Sequence, residues 1–248
     1  MIDLHLHVLP GVDDGAESFA EAREMCRLAA ADGIEVLVTT PHQRTPQWDN
    51  RDPERLDALR RRLQEEVGER PLLLPGAEVR VDSELLADLQ SAGQGGILPL
   101  AGSRYLLLEL DRHDLRIDPA AIAHEVLVAG WVPVFAHPEL IPLLTEDLPL
   151  MHRLADLGSL FQVTAMSVSG EFGKRVRDRA ALLLDEGLVH FVASDAHGPD
   201  WRPPLLSRAR RAIAQGWGEE VAELFTRTHA EAVVANQPLA APAAVALP

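Results

Sequence analysis

The sequence is poor in cysteine and contains no long apolar run. Cys26 is the only cysteine among 248 residues, so no disulfide can form within the chain. It lies in a helical pattern, where we expect a buried thiol, and this argues against a phosphatase that uses a cysteine nucleophile. No segment approaches the roughly 18 apolar residues of a membrane span, and the start lacks the basic region of a signal peptide. We therefore expect a cytoplasmic protein without membrane insertion.

Basic residues and nucleotide-binding motifs are also scarce. The chain has 23 Lys and Arg against 38 Asp and Glu, a formal net charge of -15. Such a surface repels nucleic acid and anionic membranes, so neither is an expected partner. Neither G-x-G-x-x-G nor G-x-x-x-x-G-K-[ST] occurs, which disfavours the nucleotide-binding forms of an open α/β sheet.

Short apolar runs alternate with amphipathic stretches along most of the chain. The runs predict strands at Ile2–Val8, Glu35–Thr40, Leu72–Arg80, Tyr105–Leu110, Val132–Ala136, Leu160–Thr164 and Val189–Ala193. The stretches predict helices at Ser18–Asp32, Pro53–Val67, Ser83–Gln90, Pro119–Ala129, Asp147–Leu157, Lys174–Glu186, Leu205–Gln215 and Gly218–Thr226. This alternation is typical of an α/β fold with parallel strands, forming either an open sheet or a closed barrel. We expect one domain over residues 1–236 and a disordered Pro/Ala-rich tail over 237–248.

Histidines and acidic residues recur where the predicted strands end. His5 and His7 share one face of the first strand because alternate side chains of a strand point the same way. In barrels of alternating strands and helices, residues at the carboxyl ends of the strands converge on one face. The set placed there comprises His5, His7, Asp13, Asp14, His42, Glu78, Glu109, His137, Asp195 and His197, with His113 as a further candidate.

Imidazole and carboxylate ligands together suit Zn, Mn or Fe better than Ca. Burying Glu78 or Glu109 without a cation would be costly. The set offers more ligands than one ion can use, so two or three ions are implied, with a carboxylate such as Glu78 as the bridge.

In sequence order, these motifs resemble the polymerase and histidinol phosphatase (PHP) superfamily. The resemblance is closest to bacterial PHP-type, manganese-dependent protein-tyrosine phosphatases of capsule and exopolysaccharide operons. It runs from Met1 to about Val234, almost the whole chain. The segments that carry it are His5-x-His7, Asp13-Asp14-Gly15, Thr40-Pro41-His42, Gly76-x-Glu78, Glu109, Ala136-His137-Pro138, Ser194-Asp195-x-His197 and Arg202-Pro203-Pro204.

The resemblance implies a distorted (β/α)7 barrel, similar to a TIM barrel, that holds three divalent ions, manganese before iron or zinc, at the carboxyl ends of its strands. It assigns His5, His7, Glu78 and Asp195 to one ion, Glu78, Glu109 and His137 to a second, and Asp14, His42 and His197 to a third. Asp13 is expected to serve the turn and not an ion.

The same resemblance implies that a metal-activated hydroxide hydrolyses phosphotyrosine on a protein, a bacterial tyrosine kinase of polysaccharide synthesis. Arg202 resembles the residue that binds the phosphate in this family, and either a neighbouring histidine, His42 or His197, or a metal-bound water would protonate the leaving group. Two alternatives remain open. One is a small-molecule phosphatase of the histidinol-phosphate type or a phosphodiesterase, and the other is an inactive, metal-bound regulatory protein. Self-association through exposed helices is also left open.

The chain departs from the family pattern at three positions. Leu140 stands where an Arg is common, Gln43 where a His or basic residue is common, and Thr164 where an Asn is common. Arg44 is a candidate to replace the lost positive charge. Trp48 and Trp201, in loops on the expected active face, could stack on a phenyl ring or pack within their loops.

Overall fold

The computed structural model describes residues 1–91, 94–112 and 117–239. All of the strand pairings within these ranges are parallel. The strands are β1 Ile2–Leu6, β2 Val36–Thr39, β3 His42–Gln43, β4 Leu72–Pro75, β5 Glu78–Arg80, β6 Tyr105–Glu109, β7 Val132–Ala136, β8 Leu160–Thr164 and β9 Phe191–Ala193. The parallel α/β architecture expected from the sequence is therefore confirmed.

The helices alternate with these strands. They are α1 Phe19–Ala31, α2 Pro53–Val67, α3 Leu85–Gln90, α4 Pro119–Val128, α5 Pro142–Thr145, α6 Leu148–Leu157, α7 Ala165–Ser169, α8 Lys174–Asp185, α9 Ser207–Trp217, α10 Glu219–Glu223 and α11 His229–Val234, with a π-helical turn at Leu224–Thr228. Short 3-10 turns lie at Gln94–Gly96, Leu100–Gly102 and Pro138–Leu140. Each predicted helix has a counterpart, whereas α5, α7 and α11 were not predicted, because each has six residues or fewer and is too short to show a helical period.

Two predicted strands are each divided. The run Leu72–Arg80 forms β4 and β5, separated at Gly76, and the second strand resumes after Pro41 as β3. A Cβ on Gly76 would lie 2.8 Å from Val38 Cγ1, so the break sits where the neighbouring strand approaches most closely. Each break falls shortly before a predicted site residue. The two residues that follow the breaks, His42 and Glu78, are paired in register, so they lie side by side in neighbouring strands.

The strands form two sheets, with orders β1-β2-β4 and β3-β5-β6-β7-β8-β9. The end of β9 also reaches β1, because the Asp195 N–H donates to the His5 carbonyl at 2.8 Å and the His7 N–H donates to the Ala196 carbonyl at 2.8 Å. This contact brings the first and last strands together at their carboxyl ends.

Apolar side chains fill both sides of the strands. Leu6 and Phe135 belong to a core that packs against the helices, and Leu4 and Phe191 belong to a second one. Cys26 is buried in the first core, and burial raises the pKa of its thiol to about 12, as expected for a structural cysteine. Among the described residues, no helix is long and apolar enough to cross a membrane, and the cytoplasmic location stays a prediction.

The chain is still docked where the tail was expected to start. The Tyr105 hydroxyl donates to the Gln237 carbonyl at 2.6 Å and accepts from the Leu239 N–H at 3.1 Å. The docked segment therefore includes residues 237–239 of the predicted tail. Residues 240–248 lie outside the described residues. The further ligand candidate His113 also lies outside them.

The loop after β1 depends on a glycine that touches the strand. A Cβ on Gly15 would lie 2.0 Å from the His7 carbonyl oxygen and 2.5 Å from the His7 Cβ. The Ala16 N–H donates to that same carbonyl at 3.1 Å, which holds the loop flat against the strand. Only glycine fits at this contact, so the loop and His7 are packed as one unit.

We predict that Gly15→Ala destabilises the protein by about 2–3 kcal/mol, because the added methyl group overlaps backbone atoms that cannot move independently. Gly216→Ala is the matched control, since nothing lies within 4 Å of its Cβ position. In the helix α9 this change should be neutral or stabilise by up to about 1 kcal/mol. Urea unfolding measures both, and equal effects would contradict the packing argument.

Candidate metal centre

The centre of the site is the carboxylate of Glu78, which is 1% exposed at the start of β5. Its Oε1 lies 2.8 Å from His137 Nε2 and 3.5 Å from His5 Nε2. Its Oε2 lies 2.9 Å from His42 Nδ1 and 3.4 Å from His7 Nε2. One buried carboxylate is therefore shared by four imidazoles from three different regions of the chain.

His5 on β1 and His7, the residue directly after β1, direct the same ring nitrogen towards this centre. His5 Nδ1 lies 2.7 Å from Gln162 Oε1, and His7 Nδ1 lies 2.8 Å from Asp13 Oδ2. Because each Nδ1–H donates to an oxygen acceptor, each Nε2 is left with its lone pair directed towards the centre. The two Nε2 atoms are 3.3 Å apart, as expected of two ligands that share one ion.

Asp195 places a second carboxylate close to the Nε2 atoms of His5 and His7. Its Oδ1 is 3.4 Å from His5 Nε2 and 3.6 Å from His7 Nε2. The residue has φ 51°, and His137 has φ 35°, so both adopt the left-handed conformation that is uncommon outside glycine. Such conformations are typical of functional sites, where the surrounding structure fixes a side chain at the cost of backbone strain.

A more open group lies around Asp14, whose side chain is 47% exposed. Asp14 Oδ1 is 3.4 Å from His42 Nε2 and 3.5 Å from His197 Nε2. His197 Nδ1 lies 2.9 Å from the Asp195 carbonyl oxygen, which leaves Nε2 free to face Asp14. This part of the centre is the one that solvent reaches.

Three groups of donor atoms could each hold an ion, since the atoms of each group lie within 4.8 Å of one another. The first group consists of His5, His7 and Asp195, three of the four residues in the first set that the resemblance implies, and it lacks Glu78. The other two differ in membership from the implied sets. They are His42 with Glu78 and Glu109, and His7 with Asp14, His42 and His197.

The buried carboxylates of the site would be stabilised by bound cations. Burial and the neighbouring Glu78 carboxylate both raise the pKa of Glu109. Burial opposes the charged form of Asp195, but His5, His7 and Arg202 hold the pKa of this carboxyl well below its usual range. Closely spaced, buried carboxylates next to imidazoles form a donor set that divalent transition ions suit, so the residues present fit such ions.

Two residues that the sequence did not assign to the site hold its ligands in place. Asp13, expected only in the turn, accepts from His7 Nδ1, from the His42 N–H at 3.0 Å and from the Gly15 N–H at 3.0 Å. Gln162 holds His5 in the same way. The signal for Gln162 was present, as a polar residue inside the otherwise apolar strand β8.

The expectation that Arg44 supplies positive charge to the phosphate site is wrong. Its side chain is 3% exposed, and its guanidinium bonds the carboxylates of Asp82, at 2.5 Å, and Asp88. Gln43 is equally occupied, with Nε2 donating to the carbonyls of Asn50 and Gly96. Both side chains hold loops together and face away from substrate chemistry.

The other departures lie beside the site without joining it. Leu140 is part of the 3-10 turn that follows His137, and the N–H of the buried Thr164 donates to Glu139 Oε1 at 2.9 Å. Arg202, in contrast, is at the centre, because its guanidinium bonds Asp195 Oδ2. The position of Arg202 is compatible with the phosphate-binding role that the resemblance implies.

We predict that Asp13→Asn lowers the affinity for divalent ions by about 10- to 100-fold, because an amide cannot accept all three hydrogen bonds and His7 loses its orientation. Asp156→Asn, an exposed change on α6, is the control. Equilibrium dialysis with elemental analysis measures the ions bound. Unchanged affinity in Asp13→Asn would show that this carboxylate serves only the turn.

A second prediction concerns pH. Burial opposes the charged form of His42, but Glu78 and Asp14 outweigh it and raise its pKa to about 10. His42 must lose this proton before it can ligate an ion, so affinity should rise with pH between about 7 and 10, by up to about tenfold per unit for one proton. Titration with Mn²⁺ over this range tests the sign. An affinity that is flat or falls with pH would contradict it.

Comparison with curated proteins identifies several relatives. The chain is 33% identical over 241 residues to the tyrosine-protein phosphatase YwqE of Bacillus subtilis (strain 168), covering 96% of this chain and 92% of YwqE. It is 31% identical over 233 residues to the tyrosine-protein phosphatase CpsB of Streptococcus pneumoniae, covering 91% of this chain and 95% of CpsB.

Solved structures show the same relationship. A chain from the crystal structures of YwqE and CpsB, described there as unique metal-dependent tyrosine phosphatases, superposes with a TM-score of 0.88 at 32% identity, covering 97% of this chain and 96% of that chain. An organophosphorus hydrolase variant gives a TM-score of 0.57 at 14% identity over 94% of this chain and 92% of that chain, which shows the shared fold alone. A family profile described as capsular polysaccharide synthesis, CpsB/CapC, matches residues 1–235, and the chain belongs to this family.

Proposed function

We propose that this protein is a metal-dependent phosphomonoesterase that hydrolyses phosphotyrosine on proteins. The observation that supports it most is the clustering of nine predicted ligands from separate strand ends around the buried carboxylate of Glu78. The relatives named tyrosine-protein phosphatases cover almost the whole chain and specify the reaction class.

We propose three divalent ions, with manganese as the native metal. His5, His7 and Asp195 would hold the first, and Glu78 with Glu109 the second. The third would be held by Asp14, His42 and His197. His137, whose Nε2 already faces Glu78, would complete the second. Nearly all of these donors are buried, so the ions would sit at the base of the site with Asp14 at its mouth.

When bound, such ions lower the pKa of water to give a nucleophile near neutral pH and neutralise phosphoryl oxygens. The chain's own contribution is orientation and charge. Arg202 would donate its guanidinium N–H groups to the phosphoryl oxygens, exchanging part of its contact with Asp195. His197 donates its Nδ1–H to the Asp195 carbonyl and would give Nε2 to the third ion, and His42 would ligate the same ion, so neither ring would have a proton for the leaving phenolate. That proton would come from solvent, which reaches the site beside the exposed Asp14.

The barrel itself is part of the proposal. The hydrogen bonds between the end of β9 and β1, together with the unbroken pairing from β5 to β9, support a closed (β/α)7 arrangement in which β2 continues as β3 and β4 as β5. Closure would explain why residues from the first and last strands, such as His5 and Asp195, meet. We further propose a bacterial tyrosine kinase of polysaccharide synthesis as the substrate, in keeping with the family description.

We predict that His7→Ala and Asp195→Ala each reduce kcat/KM on a phosphotyrosine peptide by at least about 1,000-fold. His124→Ala, a change at an exposed histidine of α4, should leave activity intact. Circular dichroism and the ion content of each variant check that the fold persists while ligands are lost.

The substrate class is tested with the same preparations. Mn²⁺-loaded protein should hydrolyse phosphotyrosine peptide faster than histidinol phosphate or a phosphodiester. Preference for either of the latter would replace the proposed substrate, full activity in metal-stripped protein would overturn the metal mechanism, and no turnover of any of the three would favour the inactive regulatory protein.

A further inference from the structure

Trp201 is unusually exposed for a tryptophan beside a buried polar centre. It is 66% exposed, and among the described residues it is the only aromatic side chain in the group of exposed large apolar residues. An indole in water gains little from packing, so stabilisation of its loop does not account for this placement. A bound ligand that covers the exposed indole ring would account for this position.

The indole lies directly beside the solvent-accessible part of the metal centre. Its ring centroid is 6.2 Å from that of His197 in an edge-on arrangement, and the Arg202 guanidinium carbon is 5.8 Å from the ring centroid. Gly198 permits this approach, because a Cβ there would lie 3.3 Å from Trp201 Cδ1. Trp201 is therefore close to both the proposed phosphate-binding Arg202 and the proposed ion ligand His197.

A second indole occupies the equivalent place on the other histidine of the same group. Trp48 is stacked on His42, with centroids 5.5 Å apart and planes 8° apart. His42 and His197 both face Asp14, at 3.4 and 3.5 Å. The open group thus has an aromatic side chain on each of its two imidazoles, and Trp48 is half-buried while Trp201 is free to receive a ligand.

A phosphate monoester held by the ions and Arg202 would direct its ester group towards Asp14, since this is the exposed side of the centre. An aryl ester group on that side would offer a ring to Trp201, which lies beside His197 and Arg202, whereas a short alkyl group would offer none. Stacked or edge-on aromatic pairs are favourable beyond the area that they bury.

We infer that Trp201, with Trp48 as the second wall, binds the aromatic ring of the substrate and determines the preference for phosphotyrosine over phosphoserine. This inference rests on the proposed phosphatase function. Trp201 is a specificity-determining residue here, and neither bond cleavage nor ion binding depends on it.

The test compares binding of phenylphosphonate and methylphosphonate, two non-hydrolysable probes, to Mn²⁺-loaded protein by calorimetry. Trp201→Ala should weaken phenylphosphonate binding by about three- to tenfold and leave methylphosphonate binding unchanged. Trp201→Phe should retain most of the preference, because it keeps an aromatic face. Trp48→Ala should reduce the preference by a smaller factor. Val128→Ala, at a residue 69% exposed on α4, is the control for removal of an exposed apolar side chain.

The kinetic arm uses peptides that differ only in phosphotyrosine or phosphoserine. In Trp201→Ala the rise should appear in KM for the phosphotyrosine peptide with kcat largely kept. An equal loss with both probes, or no loss with either, would overturn the inference while leaving the phosphatase intact. If the parent protein hydrolyses neither peptide, the proposed function fails instead, and the phosphonate preference of parent and Trp201→Ala still decides whether the indole binds aryl groups.

Discussion

The carboxylate of Glu78 is the constraint on which the site depends. It is buried, and an isolated charge in such a place would cost several kcal/mol. The compensation comes from His5 on β1, His7 directly after β1, His42 on β3 and His137 after β7, with two imidazoles on each carboxylate oxygen. Because these histidines are far apart in sequence, the carboxyl ends of their strands must lie close together. The strand breaks at Gly76 and before β3 place Glu78 and His42 at this point.

The orientation of the histidines is set by a second layer that includes backbone groups. Asp13 connects His7 to the His42 and Gly15 N–H groups, and Gln162 connects His5 to β8. A displacement of the loop after β1 would therefore reach His7 both through its backbone, where Gly15 packs, and through its ring. A change that destabilises this loop should therefore also disturb the geometry of the ion ligands.

The sequence predicts where the strands lie, apart from the two breaks, and which polar residues meet at their ends, because apolar runs and the polar residues that follow them are local signals. It also predicts that His5 and His7 point the same way, since a single strand decides that. It could not predict the role of Asp13, which looks like any turn aspartate until His7 and His42 are folded around it. Arg44 was misassigned for the same reason, because its partners Asp82 and Asp88 lie about 40 residues away in sequence.

Because Arg44 is bonded to two aspartates, other positive charges must bind the phosphate in this acidic protein. Arg202 contacts Asp195, and burial and the Glu78 carboxylate raise the pKa of Glu109 in spite of the nearby Arg112. A phosphate dianion would otherwise meet the carboxylates of the centre, so its binding must depend chiefly on the ions themselves. Because ions bind any phosphate ester, selectivity would have to arise outside them, and the exposed Trp201 is the side chain that we infer contacts the ester group.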